Sequence, residues 1–344
     1  MIKIVVATDA WKPQVNGVVH TLERMSTAAR EFGATFEFVT PERFTTLPLP
    51  TYPDIRVALA SADAVERAIR DSGADHLHIA TEGPIGWAAR HYARARGRLF
   101  TTSYHTRFPE YIYARLRVPE AWTYEALRRF HAPAARVMAP TPSLCDELAR
   151  RGFANVVVWT RGVDHARFRP QTLDALGLPR PIFLYVGRVA VEKNLEAFLG
   201  LDLPGSTVVV GDGPARAVLQ RQFPHTHFLG ERYGEALAQV YASADVFVFP
   251  SRTDTFGIVL IEALASGLPV AAYPVAGPLD VIGDSGAGVL SEDLRSACLA
   301  ALEIPREKAR AHSLGFTWRE SARQFLSHVE ASRCGAGLPR LSAA

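Results

Sequence analysis

The 344-residue sequence predicts an α/β protein made of two doubly wound parallel-sheet units. Three observations carry that expectation. The chain is longer than single hydrophobic cores usually grow, so two domains of about 150 residues each is the natural division. Short β-branched runs alternate with helical patterns along most of its length, as in parallel sheets covered by helices on both faces. The alternation breaks once, in a Pro- and Gly-punctuated stretch at 164–181, and then restarts.

In the first half Ile2–Ala7 is a β-branched run, and a polar loop over 8–16 leads into a helix expected at 17–32. Further strands are expected at 35–39, 76–80, 99–103, 137–139 and Val156–Val158, with helices at 61–71, 84–96 and 142–151 between them. After the break at 164–181, read as an interdomain linker, strands are expected at 182–187, 207–211, 226–229, Val246–Phe249 and 270–273. Helices follow at 192–200, 214–222, 233–242, 256–267 and 291–303, and a last one spans about 318–332. The expected domains are therefore 1–165 and 166–315. A helix within 316–334 is expected to pack back toward the first domain, and a Gly-, Pro- and Ala-rich tail at 335–344 to be flexible. Doubly wound sheets place their ligand crevices beyond the carboxyl ends of the strands, so a site in a cleft where two such units face each other is the expectation.

Composition excludes several classes. Nearly half of the residues are apolar and about a fifth are charged, ordinary values for a folded soluble protein. Cys145, Cys298 and Cys334 are far apart in sequence, which suits a reducing compartment and argues against a zinc site. The opening residues reach a polar turn after one short apolar run, unlike a signal peptide, and no window is apolar enough to cross a membrane. The expected location is the cytoplasm, with peripheral attachment at the inner face of the cell membrane as a further expectation.

The segment from Pro250 to Gly267 is the most informative. It follows the apolar strand Val246–Phe249 and is expected to enter a helix near Thr255. Glu262 is the only charge in a run otherwise apolar on every face (Ile258, Val259, Leu260, Ile261, Ala263, Leu264). An ionised carboxylate there is costly unless something binds it, and a ribose offers two hydroxyl donors. Asp254 precedes Glu262 by about two helical turns, roughly 10–12 Å, near the reach from a hexose to a ribose across a diphosphate. Amides at the helix start between them can meet phosphate oxygens. The competing explanation is that Asp254 caps the helix and Glu262 pairs with a buried arginine.

This segment resembles the acidic-x7-acidic signature of the retaining glycosyltransferases of family 4, which have the GT-B fold of two Rossmann-like domains facing across a cleft. The first acid is Asp254, where most relatives have Glu, as in the lipid-directed mannosyl-, glucuronosyl- and sulfoquinovosyltransferase-like branch. The resemblance extends along the chain through Gln14-Val15-Asn16-Gly17-Val18, Thr81-Glu82-Gly83-Pro84 and Tyr104-His105-Thr106-Arg107-Phe108-Pro109-Glu110. It continues through Arg161-Gly162-Val163-Asp164, Tyr185-Val186-Gly187-Arg188 with Glu192-Lys193-Asn194, and Gly211-Asp212-Gly213-Pro214. Each motif alone is weak, and the ordered set is specific.

The resemblance implies an acceptor domain followed by a donor domain, and a site in which Arg188 and Lys193 neutralise a diphosphate. His105 would lie beside the transferred sugar. Asp254 with Phe256, Gly257 and Ile258 would meet the sugar hydroxyls, and Glu262 the ribose. Gly211, Asp212 and Gly213 would approach the nucleotide, and Asn16 and Gly17 its phosphates. Glu82, Tyr104 and Arg107 are expected near the acceptor or the sugar. The implied donor is a UDP- or GDP-sugar, bound as a substrate. No cofactor and no metal are expected, since no Asp-x-Asp motif follows a strand and the leaving diphosphate assists deprotonation of the acceptor. Asn16-Gly17-Val18 is not a Gly-x-Gly-x-x-Gly fingerprint, and position 40 offers Thr40-Pro41 where a dinucleotide enzyme carries an acid, which argues against a nicotinamide dehydrogenase.

Charge is placed unevenly. Residues 1–165 carry 21 Lys/Arg against 17 Asp/Glu, leaving +4, and the remainder carries −1. Nine arginines (90, 94, 96, 98, 107, 115, 117, 128, 129) face three glutamates within 90–129. Over 105–130 they interleave with Phe108, Tyr111, Tyr113, Trp122, Tyr124 and Phe130. Arginines among aromatics can dock an anionic bilayer, at about 1 kcal/mol per basic residue near the surface; the alternative is that the arginines cover ordinary helices and the aromatics fill the core. A membrane glycerolipid acceptor is the expectation. A polysaccharide or small soluble acceptor is the alternative, and a non-catalytic sugar-nucleotide-binding protein the alternative of another class. Nucleic acid is not expected, because the net charge is small and no recognition module is present.

Overall fold

The structure, a computed structural model, describes residues 2–14, 16–49 and 52–334. Val15 and the tail expected at 335–344 lie outside the described residues, as do the side chains of 49, 52–55, 114 and Arg115. The chain forms two compact units, Met1–Arg161 with the segment starting at Trp318, and Gly162–Thr317.

The first unit runs β1 (Ile2–Ala7), α1 (Gly17–Ala28), β2 (Ala34–Val39), a hairpin of β3 (Thr46–Leu49) and β4 (Tyr52–Ala58), α2 (Ala62–Asp71) and β5 (His76–Ile79). It continues with α3 (Pro84–Ala95), β6 (Phe100–Ser103), α4 (Phe108–Leu116), α5 (Glu120–His131), β7 (Arg136–Ala139), α6 (Pro142–Arg150) and β8 (Val156–Val158). Its parallel sheet has the order β2-β1-β5-β6-β7-β8. Val5, Ala7, Leu77 and Ile79 pack one face against Ile85, Ala89 and Phe130. Ile4 and Val6 pack the other against Leu22, Met25, Trp159 and Phe325, the last from the C-terminal helix Trp318–Cys334.

The second unit contains β9 (Ile182–Val186), α7 (Leu195–Leu199), β10 (Ser206–Val210), α8 (Arg216–Gln222), β11 (His227–Gly230), α9 (Gly234–Ser243) and β12 (Val246–Phe249). After these come α10 (Ile258–Ala265), β13 (Val270–Ala272), α11 (Ala276–Val281), β14 (Gly288–Leu290), α12 (Leu294–Ala301) and α13 (Arg306–Ser313); the C-terminal helix is α14. The parallel order is β11-β10-β9-β12-β13-β14. Winding reverses between β1 and β5 in the first sheet and between β9 and β12 in the second. Loops leaving adjacent strands at these switch points are where a doubly wound sheet opens to a ligand.

Several expectations need correction. The first helix ends at Ala28 and finishes as a 3-10 turn closed by Gly33 at φ +71°. The hairpin at 46–58 was not foreseen, because Pro48, Pro50 and Pro53 break its alternation. The stretch 164–181 is not a free linker: Arg310 donates to the Phe168 and His165 carbonyls, and His165 bonds the Ser313 carbonyl, all within the second unit. Segment 105–130 folds as α4 and α5, with Arg117 in the left-handed region (φ +55°) ending α4.

The first core also holds buried polar groups. His76 Nε2 and His78 Nδ1 both bond the Thr101 hydroxyl, at 3.0 and 2.9 Å, and His78 Nε2 bonds Ser103 Oγ at 2.8 Å. Burial, then the charges of Arg333 and Arg98, push His76 down to about 3, and burial pushes His78 well below the usual range. The unfolded chain therefore binds protons at these sites that the native unit refuses. Stability from the neutral imidazoles is present above pH 6.5 and lost as pH falls from 6.5 toward 3, by up to about 1.4 kcal/mol per pH unit per proton. Urea unfolding between pH 7 and 4 should show this loss, and His76→Gln should flatten it; an equal slope in the variant would contradict the assignment.

Candidate functional site

Three loops meet beyond the carboxyl ends of β9, β10 and β12. β9 and β12 are neighbours, with Val246 opposite Phe183 and Phe247 opposite Leu184, so the loops that follow them leave the sheet side by side. Lys193 closes a 3-10 turn after β9, and its Nζ lies 2.5 Å from Asp254 Oδ1 in the loop after β12. Asn194, left-handed at φ +54°, donates from Nδ2 to the Pro250 carbonyl at 3.1 Å, and Thr253 Oγ1 donates to the Glu192 carbonyl at 3.3 Å. Asp254 Oδ2 is buried and has no hydrogen-bond partner among the described residues; Ser251 Oγ is in the same condition. A buried acceptor left open beside an ion pair costs about 1–3 kcal/mol unless a ligand supplies the donor.

The third loop packs backbone to backbone on the first. Gly187 N donates to the Val210 carbonyl, Val189 N to the Asp212 carbonyl and Ala215 N to the Val189 carbonyl, at 2.9–3.1 Å. A Cβ on Gly211 (φ +129°) would stand 2.0 Å from the Gly187 carbonyl oxygen, and one on Gly213 (φ +154°) 2.4 Å from that of Val189. Side chains are therefore excluded at both positions. Asp212 accepts from the Gly213 amide and from Arg216, which together hold its carboxyl below the usual range. Arg188 follows Gly187, and its carbonyl accepts from the Tyr185 hydroxyl at 2.9 Å.

Helix α10 starts at Ile258, not near Thr255, because Gly257 turns the chain through φ +83° immediately before it. Asp254 therefore does not cap the helix, and the helical estimate of its distance from Glu262 does not apply. Glu262 is 6% exposed, and its Oε2 accepts from the buried Tyr241 hydroxyl at 3.1 Å. Burial, then the Glu262 charge, drive that phenol well above its usual range, so it stays a donor. Phe256 is buried against Phe316, and Ile258 is half-buried.

In the first unit Asn16 caps α1: its Oδ1 accepts from the Val18 and Val19 amides at 3.0 and 3.1 Å, with Gly17 exposed between. Asp9, which the sequence did not single out, occupies the start of α3, accepting from Ile85 N, Gly86 N and Thr81 Oγ1. Glu82 has a partner that no local pattern marks: its Oε1 lies 3.1 Å from Nε2 of buried His131, itself bonded to Thr102. Their separation of 49 residues hid that pairing. His105 bonds Arg161 Nη2 through Nδ1 at 3.2 Å. Tyr104 is fully enclosed against His131 and Phe153. Arg107 is spent internally, clamping Glu147 at 2.7 Å and Glu110 at 3.1 Å, while Tyr124 donates to Glu110.

Among the described residues no group of three or more His, Cys, Asp or Glu side chains is arranged to hold a metal ion. No helix among them is long and apolar enough to cross a membrane. The arginine-rich stretch proves largely self-consumed. Arg90 bonds the Phe130 and Arg129 carbonyls, Arg96 pairs with Glu66, and Arg128 and Arg129 share Glu125. Of its aromatics Tyr124 and Phe130 are buried, while Trp122 is 72% open and Phe108 and Tyr113 are exposed; Leu116 is also 72% open, and Arg117 lies over the Tyr113 ring.

Comparison with known proteins follows these motifs. The model for "Glycosyltransferase Family 4" matches residues 15–167, and that for "Glycosyl transferases group 1" matches residues 180–304. A GDP-mannose-dependent alpha-mannosyltransferase of Mycobacterium tuberculosis is 31% identical over 369 residues, covering 96% of this chain and 97% of that protein. The alpha-monoglucosyldiacylglycerol synthase of Streptococcus pneumoniae is 26% identical, covering 86% of this chain and 77% of that protein. Among solved structures, sucrose-phosphate synthase from Thermosynechococcus elongatus superposes with a TM-score of 0.79 at 21% identity, over 95% of this chain and 98% of that one.

The glycine contacts can be tested by stability alone. Gly211→Ala should cost about 3 kcal/mol, since strain at its backbone angle adds to the clash. Gly234→Ala, at φ +56° with open space around it, should cost only about 1 kcal/mol. Equal shifts of Tm in the two variants would contradict the packed-loop description.

Proposed function

The chain belongs to glycosyltransferase family 4 and has the GT-B fold; from that premise we propose that its second unit binds a nucleotide-diphosphate sugar on the loops joined by Lys193 and Asp254. The protein is a glycosyltransferase using nucleotide sugars. The observation that carries the site assignment is Asp254 itself, one oxygen on Lys193 and the other buried without a donor. A sugar hydroxyl supplies that donor. Lys193 and Arg188 then stand for the cations that offset the diphosphate and the charge growing on it as the glycosidic bond breaks. Glu262, held by Tyr241, takes the ribose hydroxyls, and the bare backbone of Gly211 and Gly213 lets the nucleotide come close. His105 of the first unit is assigned to the transferred sugar.

We propose transfer with retention. The bond from the anomeric carbon to the diphosphate oxygen breaks, the acceptor oxygen bonds the same face, and the acceptor proton passes to the departing diphosphate. No protein nucleophile is needed, and no metal, because Lys193 and Arg188 carry the countercharge. The proposed acceptor is a membrane glycerolipid. The name of the diacylglycerol-directed relative supports it, as do the exposed Leu116 and Trp122 beside Arg117.

With UDP- and GDP-sugars and lipid vesicles, the purified protein should glycosylate lipid in the presence of EDTA. Lys193→Ala should lower kcat/KM about 100-fold or more, and Glu262→Gln should act mainly on donor KM. Undiminished activity in both variants would overturn the site, and labelling of soluble acceptors alone would overturn the lipid acceptor. Trp122→Ala should weaken cosedimentation with anionic vesicles roughly tenfold, from the lost burial of one large side chain; unchanged cosedimentation would contradict the membrane surface.

A further inference from the structure

Inside the first unit a continuous set of contacts runs from α14 to His105. Trp159 Nε1 donates to the Ser321 carbonyl and hydroxyl, each at 3.1 Å, and the Thr160 amide donates to Gln324 Oε1 at 3.0 Å. Ser321 Oγ donates back to the Thr160 carbonyl at 2.8 Å. Helix and post-β8 segment are thus locked through both side chain and backbone. The next residue, Arg161, is 3% exposed. Its Nη1 donates to the Trp159 carbonyl at 2.5 Å, its guanidinium lies 4.4 Å from the Trp159 ring centre, and its Nη2 reaches His105 Nδ1 at 3.2 Å. Among the described residues no carboxylate pairs with it.

A guanidinium carries only N–H donors, so Nδ1 of His105 must be the acceptor and bear no proton. His105 is half-buried, and desolvation of its ring, followed by the charges of Arg161, His78 and His131, opposes a second proton. A neutral ring with a bare Nδ1 holds its single proton on Nε2. The tautomer follows from the arginine alone.

We propose that Arg161 is a positioning residue that fixes His105 as the Nε2–H tautomer, so that His105 meets the transferred sugar as a hydrogen-bond donor and never as a base. Ser321 and Gln324 of α14 hold Arg161 in register for this. The proposal rests on the assignment of His105 to the transferred sugar. A fixed N–H can meet a sugar hydroxyl or a phosphate oxygen in every protonation state of the enzyme between the titrations of its neighbours. It cannot accept the acceptor's proton, which is consistent with that proton leaving on the diphosphate.

The test is 15N NMR of the full-length protein labelled at histidine, with His105 assigned by its loss in His105→Gln. The expected wild-type spectrum has Nδ1 in the unprotonated range and Nε2 in the protonated range, unchanged from pH 6 to 9. Arg161→Met should give mixed tautomers and a drop of about tenfold in kcat, with donor KM changed less. Arg161→Gln, whose amide can still donate to Nδ1, should restore the tautomer and most of the rate. A protonated Nδ1 in the wild type overturns the proposal, and so does an Arg161→Met enzyme with the wild-type tautomer and rate. Should Arg161→Met fail to fold, a mixed tautomer in Arg161→Gln overturns it. Full activity of His105→Gln would instead remove the sugar contact on which the proposal rests, a failure the spectrum distinguishes from loss of the tautomer.

Discussion

A lysine and an aspartate drawn largely out of water beside one another pair, and the pairing of Lys193 with Asp254 organises the loops at the carboxyl end of the second sheet. The pair joins the loops that leave β9 and β12, the two strands between which the winding of the sheet reverses. Asn194 and Thr253 add neutral hydrogen bonds across the same seam. The loop after β10 can then lie flat on the first only because Gly211 and Gly213 carry no side chain. Each of the neutral hydrogen bonds from Asn194 and Thr253 is worth about 1 kcal/mol.

The two switch points are built alike and finished differently. In the first unit Asp9 and Thr81 bridge the loops after β1 and β5, and the carboxylate is fully consumed by the amides that open α3. In the second unit the bridging acid keeps one buried oxygen open. A structure tolerates an open buried acceptor where a ligand completes it. That asymmetry is why the donor is assigned to the second unit.

Much of the architecture was legible from local pattern. Ile2–Ala7, Val156–Val158 and Val246–Phe249 are continuous β-branched or aromatic runs, and each is a strand with the expected ends. The helix after β12 was drawn too early because nothing in the residue types at 255–257 marks the positive φ that delays it, apart from Gly257 itself. Glu262 stood out as a lone charge in an apolar run, but its partner Tyr241 is 21 residues away and lacks any signal of its own. The same holds for Glu82 with His131; Arg161 and His105 each stand in a marked motif, but nothing in the sequence pairs them across 56 residues. The arginine-rich stretch is read differently by composition and by fold. Composition counts charges, whereas the fold spends Arg90, Arg96, Arg107, Arg128 and Arg129 on carbonyls and carboxylates of the same unit. What stays exposed there is chiefly Leu116 and Trp122, with Arg117 over the Tyr113 ring.

On the proposed reading a nucleoside diphosphate lies on the Lys193–Asp254 loops with its ribose on Glu262. A crystal structure of the protein soaked with UDP or GDP tests this most directly. Diphosphate oxygens are expected within hydrogen-bond distance of Lys193 and Arg188, and the ribose hydroxyls on Glu262. A nucleotide bound instead at Asn16–Gly17 of the first unit, or one in the second unit with its ribose away from Glu262, would contradict it.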